Sequence, residues 1–98
     1  MEFKTAKKWF VPYGTWIILS HSEACKLTGG MSVSAIGTAI GAIGGAYAAI
    51  AAAAISLQAK HIREKNEHSG GKGVKLLFVW ATGMITSIEK RGSGSSPC

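Results

Sequence analysis

The sequence predicts an all-α integral membrane protein, with one long transmembrane helix, a short second apolar helix, and irregular N- and C-terminal extensions. Three observations carry this expectation. Leu27 to Ala59 hold no charged residue between Lys26 and Lys60, and the stretch is densest in apolar side chains over Val33–Ser56. A bilayer core of roughly 30 Å needs about 20 such residues at 1.5 Å rise each. Within the stretch, Gly37, Gly41 and Gly45 recur every four residues. A second apolar run, Val74–Ile88, follows after a glycine cluster.

Residues 1–30 form the expected basic and aromatic N-terminal segment. Glu2, Lys4, Lys7 and Lys8 precede Trp9, Phe10, Tyr13 and Trp16, rings of the kind that collect at a membrane–water boundary. A basic start and an apolar run also outline a signal peptide, but Pro12 and Gly14 break the run and Glu23 stands where a small residue is wanted. His21–Met31 reads as a polar hinge, with Thr28 or Ser32 as caps for the next helix.

Residues 31–68 are the predicted long transmembrane helix with a charged C-terminal extension. Ile36, Ile40, Ile43, Tyr47, Ile50, Ala54 and Leu57 recur at spacings of four and three and form one ridge. Beside it, Gly37, Gly41, Gly44, Gly45, Ala48 and Ala52 form a groove of small residues. Glycine inside a helix costs about 1 kcal/mol relative to alanine, yet in lipid it lets a second backbone approach. The groove therefore predicts a protein partner in the membrane. A helix that merely anchors the chain, and an alanine- and glycine-rich core helix in water, are the two plainer alternatives. Lys60, Arg63 and Lys75 are the expected basic anchors at the headgroups. His61, Glu64 and His68 share one helical side, but a solvated charged face explains them more simply than a metal site.

Residues 69–73 read as a glycine-rich turn. They lack the Lys-Ser/Thr ending of a phosphate-binding loop. Residues 74–88 form the predicted short apolar helix, which would reach only about 22 Å. It fits a short span, a segment packed on partner subunits, or an interfacial helix. Residues 89–98 read as a polar tail. Cys25 and Cys98 show no metal-ligand spacing and no disulfide framework, and are expected as free thiols.

The chain has 98 residues and a net charge of +6 from 11 Lys and Arg against five Glu. The charge is dispersed along the sequence, unlike the gathered basic face of a nucleic-acid binder. No Asp occurs, and no nucleophile stands at a recognisable spacing from a base. The sequence thus predicts no enzyme, no cofactor, no metal, no nucleic acid and no small-molecule substrate. Its expected partners are other membrane subunits and the lipid bilayer.

Two resemblances bear on function. Lys7-Lys8-Trp9-Phe10, Leu27-Thr28-Gly29-Gly30-Met31 and Ala35-Ile36-Gly37-Thr38, leading into one span with a basic exit, resemble the small mitochondrial ATP synthase subunit k or DAPIT family over about a third of the chain. That resemblance implies a non-catalytic accessory subunit of a mitochondrial inner-membrane complex, either ATP synthase or the respiratory chain. Leu19-Ser20-His21-Ser22-Glu23-Ala24-Cys25-Lys26-Leu27-Thr28-Gly29-Gly30 is similar to the double-glycine leader of bacteriocin precursors. It implies a secreted, membrane-active peptide beginning at Met31. A holin or conjugative pilin-like subunit is the further alternative.

Overall fold

A computed structural model describes residues 1–43 and 45–98, and for residues 42, 45 and 46 the backbone alone. In chain order the elements are β1 (Glu2–Lys8), β2 (Val11–Leu19), α1 (His21–Leu27), α2 (Val33–Ala39), a single 3-10 turn at Gly41–Ile43, α3 (Gly45–Leu57), α4 (Ala59–Glu67), β3 (Val74–Val79) and β4 (Met84–Lys90). The strands form one antiparallel sheet in the order β1-β2-β3-β4. All four α-helices lie between β2 and β3, which are nonetheless neighbours in the sheet. The fold is therefore α/β, and the all-α expectation is overturned.

Alternation explains why the central strands form. Thr15, Ile17 and Leu19 of β2 pair with Phe78, Leu76 and Val74 of β3, so all six side chains fall on one face. All six are buried. Trp16, Ile18, Lys75 and Leu77 take the other face, where the Lys75 Nζ lies 4.9 Å from the centre of the Trp16 ring. The run 74–88, expected as a short apolar helix, is instead a hairpin. Its β-branched and aromatic residues suit a half-buried pleated surface, and Gly83, with φ 65°, supplies the turn.

The predicted transmembrane helix is divided into α2, the 3-10 turn, α3 and α4. Among the described residues, no helix is long and apolar enough to cross a membrane. This overturns the integral-membrane and transmembrane assignment, and with it the expected place in the mitochondrial inner membrane. The physical reason lies in the helix boundaries. Ser32, one of the two predicted caps, accepts from the Ala35 N–H at 3.1 Å to open α2. Ile40 ends α2 with φ −101° and ψ 15°, and Gln58 interrupts the chain again between α3 and α4.

Part of the uncharged stretch is buried against its own chain, while Val33, Tyr47, Ile50 and Leu57 stay exposed. Ile36, Ile40, Ala51, Ala52 and Ile55 join Ile17, Leu19, Leu76 and Phe78 in one core cluster. A Cβ at Gly37 would lie 3.7 Å from the Ala52 Cβ and 4.0 Å from the Ala48 carbonyl oxygen. The small residues thus permit close approach of α2 to α3, a packing contact made inside one chain.

Candidate functional site

Two regions carry chemistry beyond packing, and they lie at opposite ends of β2. The first gathers where β2 runs into α1. Ser20 caps α1 through a reciprocal pair: its hydroxyl accepts from the Glu23 N–H at 3.1 Å, and the Glu23 carboxylate accepts from the Ser20 N–H at 2.9 Å. The Met1 ammonium also lies 2.8 Å from Glu23. Burial pushes the Glu23 carboxyl up, but these hydrogen bonds and the nearby ammonium outweigh it and hold the group below its ordinary value.

One helical turn inside α1, His21 and Cys25 face α4 and the C-terminal tail. Cys25 is bonded to Cys98, with Cα atoms 5.6 Å apart. The expected free thiols are therefore paired. The tail reaches this position through backbone bonds: Gly94 N–H donates to the His68 carbonyl at 3.1 Å and Ser96 N–H to the Glu67 carbonyl at 2.8 Å. Gly70, with φ 64°, is required there, because a Cβ would run into the Ser93 carbonyl.

Asn66, at the end of α4, is fully buried and joins the parts. Its amide nitrogen donates to the His21 carbonyl at 3.1 Å and faces the sulfurs of Cys25 and Cys98 at 3.2 and 3.6 Å. A carbonyl can only accept, so this bond fixes which way the amide points. The Asn66 oxygen consequently faces His21 Nδ1 at 3.1 Å and accepts its proton. In the neutral ring that leaves the lone pair on Nε2, which lies 3.7 Å from Cys25 Sγ.

The second region is the far end of the β1–β2 hairpin. Pairing of β2 with β3 stops at Gly14, whereas pairing with β1 continues through Lys7↔Pro12 and Lys8↔Val11. Residues 7–12 therefore form a two-stranded finger beyond the four-stranded sheet. Its turn residues, Trp9 and Phe10, have φ 54° and 67°, the left-handed conformation of a two-residue turn that favours Asn-Gly. Each bulky residue held there costs on the order of 1–2 kcal/mol. They stand in solvent: Trp9 is 84% exposed, Phe10 96% and Val11 63%.

The residues expected to contact a membrane do not converge. Trp9 and Phe10 form the tip of the finger, with Tyr13 at its base. Trp16 lies on the other sheet face under Lys75, while Lys60 and Arg63 are on α4. Of the expected packing residues, Gly37 meets Ala48 and Ala52. Gly41 has nothing within 4 Å of where its Cβ would be. Gly45 opens α3, and Gly44 lies outside the described residues.

Sequence reasoning missed the His21–Cys25–Asn66–Cys98 cluster. Two signals could have found part of it: the Ser-x-x-Glu capping box at Ser20–Glu23, and the i, i+4 spacing of His21 and Cys25 that the resulting helix imposes. The stretch similar to a bacteriocin leader is the end of β2, α1 and its exit. A cut after Gly30 would separate β1, β2 and α1 from the rest, with Cys25–Cys98 still joining the two pieces. The chain matches no protein-family model, and comparison with curated proteins and with solved structures finds no match.

Proposed function

We propose that the chain is a non-catalytic docking module that rests on an anionic lipid surface from outside and inserts only the tip of its β1–β2 finger. The observation that carries this reading is the pair Trp9 and Phe10, held in a strained turn and exposed at the end of a projecting hairpin. Apolar tip residues can enter the acyl boundary while the lysines immediately behind them, Lys7 and Lys8, stay among the headgroups. Immersing half of each aromatic side chain is worth about 2–3 kcal/mol in total. Each lysine near an anionic surface adds about 1 kcal/mol. The overall charge of +6 acts in the same direction.

The finger is suited to shallow insertion because it adds little unpaired backbone. Lys8 and Val11 close the turn across the hairpin. The Cys25–Cys98 bond fits a chain that works in an oxidising compartment.

Flotation of the full, disulfide-bonded chain with vesicles tests the reading. The protein is expected to rise with vesicles of phosphatidylcholine containing phosphatidylglycerol, to rise less as salt is added, and to remain unbound with phosphatidylcholine alone. A chain that stays at the bottom of the gradient with both compositions contradicts the proposal.

A further inference from the structure

The His21–Cys25–Cys98 cluster has more order than a disulfide needs. A His21 ring nitrogen and the two sulfurs all lie within 4.8 Å of one another, and Nε2 is 3.7 Å from Cys25 Sγ. His21 and Cys25 are one helical turn apart on α1, and Cys98 arrives from the tail. Nε2, which faces Cys25 Sγ, is the unprotonated nitrogen of the neutral ring, because the Asn66 oxygen accepts a hydrogen bond from Nδ1–H at 3.1 Å. A disulfide sulfur has no proton to offer it. This arrangement, a ring nitrogen fixed by a hydrogen bond on its far side, is the usual support of a metal-binding histidine.

We propose that, once the Cys25–Cys98 bond is reduced, His21, Cys25 and Cys98 bind one zinc-group divalent cation, with Asn66 as the positioning residue. Two thiolates and one imidazole are the soft and borderline donors that such a cation takes, and a fourth position stays open to water. The Cα separation of 5.6 Å already brings both sulfurs to one site. Asn66 contributes twice: its oxygen holds the His21 ring, and its amide nitrogen, one N–H of which goes to the His21 carbonyl, lies 3.2 and 3.6 Å from the two sulfurs.

The chemistry balances with a dithiol as reductant. It delivers two electrons and two protons, the Cys25–Cys98 bond breaks to two thiols, and the dithiol leaves as its own disulfide. Binding then releases the two thiol protons to water, while Nε2 gives its lone pair without losing a proton. The cluster would thus alternate between a covalent tie and a metal tie across the same tail. This inference stands on the cluster alone and is independent of the docking finger.

Cobalt(II) titration of the full chain, reduced and then freed of reductant without air, is the test. The reduced chain is expected to take up one equivalent, with thiolate-to-cobalt charge transfer and tetrahedral visible bands that zinc then bleaches. The disulfide-bonded chain should show neither. His21→Ala is expected to weaken binding at least about tenfold and Asn66→Ala about 10- to 100-fold, while His68→Ala, which leaves the cluster intact, changes nothing. Absence of tetrahedral bands in the reduced chain overturns the proposal, as does equal loss in His21→Ala and His68→Ala. Circular dichroism before cobalt is added separates loss of a ligand from loss of the fold. An Asn66→Ala chain that is folded and binds as tightly as the wild type removes Asn66 from the positioning role.

Discussion

The finger and the cysteine end are carried by the two ends of the same strand, and they spend their side chains in opposite ways. At the cysteine end, Asn66 has partners for both amide groups, Ser69 donates to the Asn66 carbonyl at 2.6 Å, and a covalent bond closes over the tail. Among the described residues, no buried side-chain nitrogen or oxygen lacks a hydrogen bond. At the finger, two aromatic rings hold an unfavourable backbone conformation and touch little. The difference separates groups that stabilise the fold from groups that do not. Local strain without compensating burial marks the second kind.

The contrast is broken most sharply from the cysteine end. Cys98→Ser opens a tie spanning 73 residues and is expected to lower stability by about 4 kcal/mol, read as a fall in the urea midpoint with a steeper slope, because the untied denatured chain is less compact. A loss near zero would mean that the tail contributes nothing to the fold. Asn66→Ala comes next. It strands the His21 Nδ1 proton and the His21 carbonyl and is expected to cost about 2–3 kcal/mol in the same assay.

Changes at the finger run the other way. Trp9→Asn combined with Phe10→Gly installs the residues that the turn favours, and is expected to raise stability by about 1–3 kcal/mol, seen as a higher melting temperature. The smallest effect concerns Glu23. Its carboxyl is held below the ordinary value of 4.5, so its contribution is fully present above that pH and is lost as the pH falls through the lower folded-state value. Replacing Glu23 by Gln should flatten this acid limb of the stability curve. An acid limb unchanged in Glu23→Gln would assign it to other carboxylates.

Part of this architecture is legible in the sequence. Ser32 can be read as a cap and Ser69–Gly73 as a turn, because Ser, Asn and Gly act through local geometry. The hairpin at 74–88 is encoded in Val74, Val79, Ile85, Thr86 and Ile88 around Thr82-Gly83, but the apolar content of the run suits a short helix equally well. The transmembrane reading failed for a related reason. A stretch without charge is equally what lipid and a protein interior require. Which of the two surrounds α3 depends on whether β2 and β3 present Ile17, Leu19, Leu76 and Phe78 to it, a long-range pairing that no local pattern encodes. The cysteine cluster is harder still. Asn66 and Cys98 reach His21 only after α4 and the tail are in place.

The most direct test of the finger is to measure vesicle flotation of the Trp9→Asn, Phe10→Gly chain beside the wild type, on vesicles containing phosphatidylglycerol. If the two rings are kept for docking, this better-folded variant loses at least about tenfold in partitioning while the body of the protein is unchanged. If it floats as well as the wild type, the tip is not the docking element and the account of the finger is wrong.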